Sequence, residues 1–553
     1  MTNRHPYLHY LSLAAAVVLA AMLRFWHLDL KPLWMDEVIT TIFSLGKNYH
    51  DLPLNIVFPL ERVQGIFTFQ PGVSCQQIAA NLANQSTHPP LFFCAMYTWL
   101  AWMIPLGSEW VAKLRCLPAL FGVATVAAIY AVNRVAFSPP SAIMAALIMA
   151  ISPFAVYLSQ EARHYTMPMF LITLALWGLM QIQQDIFLQQ RLRVWVVILW
   201  SLVNIVGCYV HYFFILAFVA QIITLFILIY WGNHRKNNKN KSQIYLTLII
   251  SISGVIIIFL PWMLVTFKHF QSAETNWLPA TMHIAPLYQT LISWVLMVIA
   301  LPVENQPLLI TAVCGFLMIS FAIWLGWQVW QGLTILWSDH TTHLATLTLL
   351  NFTIVVLLQF FAIAYILGKD ITVVPRYNFV YYPSFCALLA ASISKINNSK
   401  FITLLVGTLS CIFVVSNLVW QKPFQPEQVA QKMNLNPSIP VMLVVGYNNY
   451  QDVALGLSFA LALEKVRSNT NPADSFAFLD KSRYSSTFWN QLGKMPTPIT
   501  SEMNLWIVGP GMRKRDYPQQ VGLLGDSVCT IDTSHHYRLG IPYQLYRCRK
   551  NQN

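Results

Sequence analysis

Long apolar segments alternate with short polar segments along most of the chain. A helix needs about 20 consecutive apolar residues to cross the hydrocarbon core of a bilayer. Runs of suitable length recur from residue 8 to residue 420, so the pattern predicts an all-α polytopic membrane bundle of about 11 transmembrane helices. The predicted spans lie near residues 8–25, 112–134, 141–158, 164–183, 194–210, 212–231, 244–266, 308–330, 346–367, 377–394 and 401–420.

Two shorter apolar runs, 91–106 and 285–301, determine the predicted topology. Short loops rich in Lys and Arg mark the cytoplasmic side of a membrane protein. The basic segments 190–193, 234–241 and 395–400 all fall on one side if both short runs lie along the membrane surface. If both runs crossed the membrane, there would be thirteen spans, and every segment between the two runs would lie on the wrong side. We therefore predict two surface helices.

The same basic loops predict an orientation. The N-terminus is cytoplasmic, the large loop 26–111 and the short segment 159–163 are external, and the chain leaves the membrane externally after Trp420. No small-residue cleavage site follows the first apolar run, so we interpret it as an uncleaved span. Arg24-Phe25-Trp26 at its end predicts an interfacial anchor.

Residues 421–553 differ from the rest of the chain in composition. Pro, Asn, Gln, Ser and charged residues dominate, and the apolar runs shorten to strand length at 441–445 and 505–508. We predict a transmembrane domain over residues 1–420 and a small extracytoplasmic α/β domain over residues 421–553. Cys529 and Cys548 lie in this second domain, where an oxidising compartment would allow them to pair.

Composition supports a membrane protein and excludes two other classes. Hydrophobic residues make up 56% of the chain and charged residues only 10%, unlike an ordinary soluble domain. The Lys and Arg residues behind the net charge of +13 are scattered between apolar runs. This distribution indicates membrane topology and no nucleic-acid partner. The nine cysteines form no CxxC pair, so a zinc-binding cysteine motif is not supported.

Two polar segments of the large external loop are candidates for chemistry. In Trp34-Met35-Asp36-Glu37, two carboxylates lie close to the membrane, although they could equally stabilise the start of an interfacial helix. In His88-Pro89-Pro90-Leu91, the proline pair starts the first short apolar run. His88 could approach a phosphate there, but a single interfacial histidine is more often structural.

Two further polar segments flank later spans. Glu161 and Arg163 lie in a junction with almost no loop, where charges beside lipid are costly and favour a function over a neutralising pair. Arg376-Tyr377 begins a late span and alone would be interpreted as an aromatic and basic anchor, although a guanidinium also suits phosphate. In the predicted topology all four segments are external, so they can form one site.

The order of these motifs resembles one family. Asp36-Glu37, His88-Pro89-Pro90-Leu91, Gln160-Glu161-Ala162-Arg163-His164-Tyr165 and Arg376-Tyr377 resemble the family 39 glycosyltransferases of the GT-C fold. These are bacterial relatives of the dolichyl-phosphate-mannose protein mannosyltransferases, and they are similar to the lipid A aminoarabinose transferases. The resemblance covers about residues 1–395, with specific motifs only in the first 170.

The resemblance implies a polyprenyl-phosphate-linked sugar donor and transfer on the external face of the bacterial plasma membrane. It implies catalytic roles for Asp36, as the base, for Glu37 and for Glu161, and substrate or phosphate contacts for His88, Arg163, Tyr165, Arg376 and Tyr377. His164 receives no role. The chain lacks a clear Asp-X-Asp motif, so the sequence leaves open whether a divalent cation takes part in catalysis. No other cofactor is expected.

Two alternatives compete with a glycosyltransferase. A many-span chain can be a transporter or lipid flippase, with Glu161 and Arg163 gating a pathway, but the polar groups here gather at one face and no internal repeat is visible. A membrane-anchored scaffold would leave the interfacial acids unexplained. The sequence does not identify the sugar or the acceptor. It does not identify the stereochemical outcome either, because that outcome depends on the distance between the two catalytic acids.

Overall fold

The chain divides into two compact units. Unit 1 comprises Met1–Leu28, Leu82–Met96 and Ala112–Trp420, and unit 2 comprises Asp29–Asn81, Tyr97–Val111 and Gln421–Asn553. The computed structural model describes residues 6–232, 241–268, 278–279, 281–396, 399–467, 473–481, 485–496, 502–524 and 527–550. Most of the basic segment 234–241 lies outside the described residues. The predicted division into domains 1–420 and 421–553 stays a prediction.

Helices account for most of the described chain. They are α1 Pro6–Phe25, α2 Met35–Ser44, α3 Cys75–Gln85, α4 Leu91–Trp102, α5 Trp110–Ala136, α6 Pro139–Ala150, α7 Pro153–Ser159, α8 Thr166–Gln184, α9 Val194–Val210, α10 Phe214–Gly232, α11 Lys241–Lys268, α12 Ala285–Val298, α13 Leu308–Ser338, α14 His343–Leu367, α15 Tyr382–Ser394, α16 Lys400–Val415, α17 Pro426–Met433, α18 Tyr450–Arg467 and α19 Ser485–Lys494.

Several of these helices are long and apolar enough to cross a bilayer. Within the described residues there are six, or seven if the bent pair α6 and α7 is one span. The other four predicted spans correspond to shorter apolar helices, α9, α10, α15 and α16. The helices at the two short apolar runs, α4 and α12, have 12 and 14 residues. The chain is a multi-pass membrane protein. The number of eleven spans stays a prediction, because α15, counted as a span, has 13 residues, whereas α12, counted as a surface helix, has 14.

The predicted span 141–158 is not one straight helix. It breaks between α6 and α7 with a bend of 56°. Pro153 has no backbone N–H to continue the helix, and the Ser152 hydroxyl accepts a hydrogen bond from the N–H of Ala155 to start α7. The bend therefore follows from a local Ser-Pro signal inside an apolar run.

Arg24 stabilises this break. Its guanidinium donates hydrogen bonds to the carbonyls of Met149, at 2.8 Å, and Ala150, at 2.9 Å, at the end of α6. In an unbroken helix, the Met149 carbonyl would accept from residue 153, which is a proline. Arg24 is fully buried, so the prediction that it anchors the chain at the interface is wrong. A charged donor is needed inside the bundle because the break leaves carbonyls without partners.

We expect Arg24→Leu to destabilise unit 1. The loss should be about 1–3 kcal/mol for each carbonyl left without its partner. Thermal unfolding of the detergent-purified protein would measure it. Arg134→Leu is the matched control, because Arg134 is exposed at the end of α5. Equal melting temperatures for both variants would contradict this role for Arg24.

Unit 2 contains a seven-stranded mixed sheet. Its central strands are parallel to one another and buried, and the outer strands are antiparallel to their neighbours. Apolar side chains of these central strands form much of its core. The strands are β1 Val57–Pro59, β2 Val441–Tyr447, β3 Ser475–Asp480, β4 Glu502–Val508, β5 Gln520–Leu523, β6 Ser527–Leu539 and β7 Ile541–Lys550, in the order β1-β3-β2-β4-β7-β6-β5.

The first strand of this sheet comes from the predicted loop 26–111. β1 pairs with β3, with Val57 opposite Ala477. The side chain of Asn55 accepts a hydrogen bond from the N–H of Asp480 and donates one to the hydroxyl of Tyr447. Part of the predicted loop is thus a component of the α/β unit. The predicted fold class, a helical membrane bundle with a small α/β domain, is confirmed.

Cys529 and Cys548 are joined by a disulfide. They are direct cross-strand partners on β6 and β7. Both side chains are buried within the core of the sheet. The pairing that the sequence left open is therefore present.

Candidate functional site

The segment between α7 and α8 is tightly held although it has no regular structure. The side-chain amide of Gln160 donates to the carbonyls of Leu23, at 3.3 Å, and Trp26, at 2.9 Å. The N–H of Arg163 donates to the carbonyl of Glu161 at 2.7 Å. Every residue of the segment 159–165 is buried. The side chains of Glu161 and Arg163 therefore have fixed positions in unit 1.

Glu161 is a buried carboxylate with a hydroxyl partner. Its side chain is 1% exposed and forms a hydrogen bond with the Tyr157 hydroxyl of α7. Tyr157 also stacks on Trp420, with ring centroids 4.4 Å apart. A carboxylate is costly to bury, and the Tyr157 hydroxyl offsets part of that cost. The function predicted for Glu161 stays a prediction.

Two guanidinium groups lie near one aromatic ring. The central carbons of Arg163 and Arg376 lie 5.5 Å and 5.9 Å from the ring centroid of Tyr165, and Arg163 also reaches the Tyr165 hydroxyl at 3.4 Å. Arg163 is buried and Arg376 half-buried. Two guanidinium groups this close together can both donate hydrogen bonds to one anion.

Arg376 and Tyr377 do not begin a helix, as the predicted span 377–394 implied. They lie in a 3₁₀ segment, Pro375–Val380, and α15 begins only at Tyr382. Pro375 supplies the first position of this short segment, and Asp370 caps the preceding 3₁₀ turn by accepting from the N–H of Thr372. This geometry places the Tyr377 ring against Phe213, with centroids 4.7 Å apart.

Three histidines from three separate segments form a cluster. His164 lies between His88 and His211, with ring centroids 4.6 Å from each, and the outer two rings are 6.1 Å apart. His88 precedes α4, and His211 follows α9. The ring of Tyr212 stacks beside His88 at 5.7 Å, and its hydroxyl is hydrogen-bonded to that of Tyr377.

These imidazoles are kept neutral by their surroundings. Burial, and secondarily the charge of Arg163, lowers the pKa of His88 to about 3. Burial is also the main cause that holds the pKa of His164 well below its usual range, followed by His211, His88, Arg163 and Arg376. The pKa of His211 is likewise lowered well below its usual range, first by burial. At neutral pH the positive charge of the cluster therefore resides on the two arginines.

Asp36 and Glu37 lie in unit 2, in the first turn of α2. The residue at the N-cap is Trp34, so neither acid is the N-cap, although both can interact favourably with the positive end of the helix. The side chains of both acids are buried. The Glu37 carboxylate forms an ion pair with Lys422 at 3.3 Å, and the Lys422 ammonium also lies 5.9 Å from the Trp34 ring.

The site residues predicted from the sequence thus fall into two groups. Glu161, His88, Arg163, Tyr165, Arg376 and Tyr377 belong to unit 1, and Asp36 and Glu37 belong to unit 2. Sequence reasoning missed His211, Tyr212 and Lys422 and gave His164 no role. The signal for His211-Tyr212 was available, because this polar pair interrupts two apolar runs in the same way as Glu161 and Arg163 do.

A metal centre is not formed by the part of the chain that the structure describes. There, no group of three or more His, Cys, Asp and Glu side chains could hold a metal ion. The three clustered histidines do not meet that condition either.

Comparison with solved structures identifies the fold. ArnT from Cupriavidus metallidurans, crystallised with undecaprenyl phosphate, is similar with a TM-score of 0.50 and 11% identity, over 91% of this chain and 93% of that chain. The fold is of the GT-C type. The apo form of the same enzyme has the same TM-score, over 90% of this chain and 92% of that chain. No protein-family model and no curated protein sequence matches this chain.

The oligosaccharyltransferase of Archaeoglobus fulgidus is a more distant likeness. Its TM-score is 0.48 at 13% identity, over 83% of this chain and 65% of that chain. This chain therefore spans just under two thirds of the archaeal enzyme's length. At 11% identity, the likeness to ArnT establishes the fold alone.

Proposed function

We propose that this chain is a membrane glycosyltransferase that moves a sugar from a polyprenyl-phosphate-linked donor to an acceptor. The observation that carries the proposal is the pair of guanidinium groups around Tyr165, beside a cluster of neutral imidazoles. A lipid phosphate offers an anion that both guanidinium groups can bind and an apolar tail that suits the surrounding helices. The transporter alternative receives no support.

The cations of unit 1 would bind the donor phosphate. Arg163 and Arg376 can each present planar N–H donors to phosphate oxygens, and Tyr165 keeps their side chains in place. When the sugar leaves, negative charge grows on the phosphate, and fixed cations in a site of low dielectric stabilise that charge strongly. Tyr377 acts through its contacts with Phe213 and Tyr212, which hold the 3₁₀ segment that carries Arg376.

The acids would serve different purposes. Asp36 is proposed as the base that accepts the proton of the acceptor hydroxyl, as the family resemblance implies. Glu37 is engaged with Lys422, so we assign it a structural role instead of the catalytic role that the sequence suggested. Glu161 is proposed to orient the donor sugar through a carboxylate that Tyr157 holds in place. Inversion and retention both remain compatible with these acids.

We further propose that the chain lies in the bacterial plasma membrane, with the N-terminus cytoplasmic and unit 2 external. The distribution of the basic loops supports this orientation. The Cys529–Cys548 disulfide supports it independently, because disulfides persist in oxidising compartments outside the cytosol.

A panel of donors tests the proposed function. Purified protein would be incubated with undecaprenyl-phosphate-linked sugars and with the same sugars as soluble nucleotide donors, in the presence of a membrane extract as acceptor source. We expect release of undecaprenyl phosphate and labelling of an acceptor only with the lipid-linked sugars. Transfer from the nucleotide donors alone would contradict the proposal.

A further inference from the structure

The histidine cluster contains buried polar atoms that the fold leaves without partners. Within the described ranges, Nδ1 of His88, both ring nitrogens of His164 and Nε2 of His211 are buried and have no hydrogen-bond partner. A buried polar group without a partner costs about 1–3 kcal/mol. Several such groups side by side indicate a site that is completed by a ligand.

The protonation state of His211 can be derived from its contacts. Its Nδ1 accepts a hydrogen bond from the N–H of Phe213 at 3.0 Å. A neutral imidazole carries one proton, so the proton of His211 is on Nε2, which is a buried donor without an acceptor. This donor belongs to the ring packed directly against His164. The cluster therefore offers an N–H to an anion before any change of charge.

His164 is the member most sensitive to a bound anion. It is completely buried and lies just before α8 begins. The charged groups that act on it are the two arginines, and each disfavours a proton on the ring. The groups facing it are His88 before α4, Phe92 and Phe93 on α4, His211 after α9, Arg376 of the 3₁₀ segment, and Arg163 and Tyr165 of its own segment.

A lipid phosphate would offset the effect of the two arginines on His164. An anion within about 4–6 Å favours the charged form of an imidazole. The donor is a phosphodiester with one negative charge, whereas the lipid phosphate left after transfer is a monoester that carries up to two, with a second pKa of about 6. Arg163, Arg376 and the Glu161 carboxylate beside them carry a net charge of +1, which matches the donor, so the released phosphate requires one further positive charge.

We propose that His164 takes up a proton as the sugar leaves, so that its imidazolium binds the second negative charge of the departing lipid phosphate. The bond between the anomeric carbon and the phosphate oxygen breaks, and its electron pair stays on that oxygen. The proton on His164 comes from solvent, while the proton of the acceptor hydroxyl goes to the carboxylate base. His211 positions the His164 ring and donates from Nε2 to the same phosphate. This inference rests on the proposed function.

Calorimetry with undecaprenyl phosphate tests the inference without turnover. Binding enthalpies measured at one pH in two buffers of different ionisation enthalpy give the number of protons taken up. We expect the wild type to take up about one proton more than His164→Gln, and the variant to bind about tenfold more weakly, as for the loss of one charged hydrogen bond. His340→Gln is the matched control, because His340 is exposed.

The outcomes separate the two proposals. Equal proton uptake by the wild type and His164→Gln, with both binding the lipid phosphate, would overturn the role of His164 and leave the proposed function intact. Failure of the wild type to bind undecaprenyl phosphate would overturn both. If His164→Gln does not fold, the wild type decides alone, since binding without any proton uptake would contradict the inference.

Discussion

Replacing Asp36 by asparagine is expected to slow sugar transfer by about 10²- to 10⁴-fold, the usual loss when a general base is removed. The substitution keeps the shape of the side chain and removes its capacity to accept a proton. Asp36 is buried in the first turn of α2, so its carboxylate is held in a fixed position. The rate would be measured as release of undecaprenyl phosphate from a lipid-linked donor.

The fold of the Asp36→Asn variant should be unchanged. Size-exclusion elution and melting temperature in detergent would establish this. Glu61→Gln is the matched control for loss of one acid, because Glu61 is exposed in the same unit. Transfer by Asp36→Asn at the rate of the wild type would rule out Asp36 as the base.

Lys422→Met is expected to have the largest effect on stability. Lys422 and Glu37 form an ion pair in which the side chains are only 2% and 0% exposed. Removing one partner of a buried pair leaves the other charge without compensation, at a cost of about 3–5 kcal/mol. Unfolding of the purified protein by heat or denaturant would measure the loss.

The double variant Glu37→Gln/Lys422→Met should recover most of this loss, because replacing both members of a buried ion pair by uncharged residues is often close to neutral. The pair Arg549 and Glu502 provides the control, since its side chains are 77% and 52% exposed. Arg549→Met should cost only about 0–1 kcal/mol. A double variant as unstable as the sum of the two single variants would show that the buried pair is not coupled.

Features with a local signal could be predicted from the sequence. The long spans follow directly from apolar runs, and the polar residues of segment 159–165 indicate the junction between two helices. The function of that junction stays a prediction. Short helices at 91–106 and 285–301 were also expected, and α4 and α12 lie there. Each of these features depends on residues that are close in sequence.

Features that depend on distant residues could not be predicted. The pairing of β1 with β3 joins residue 57 to residue 477, and three-residue β1 has no strand signature of its own. The break between α6 and α7 had a local Ser-Pro signal, but its partner Arg24 lies 125 residues away from Met149. The apolar run of α1 does not show that Arg24, near its end, binds the free carbonyls of a broken helix elsewhere in the bundle.

The same limit applies to the candidate site. Glu161, Arg163 and Tyr165 were found through their shared segment, whereas the histidine cluster gathers His88, His164 and His211 from three parts of the chain. Each histidine alone resembles an ordinary structural residue. Lys422 was missed because it follows the last span, where a single lysine is unremarkable in the sequence.

The most direct test of the central claim follows a lipid-linked donor with a labelled sugar in proteoliposomes that contain the purified protein and an acceptor extract. Donor cleavage and the distribution of intact donor between the two leaflets would be measured in the same sample. A glycosyltransferase produces free undecaprenyl phosphate and labelled acceptor in equal amounts, and Asp36→Asn produces neither. Movement of intact donor between the leaflets without any cleavage would contradict the account and favour a flippase.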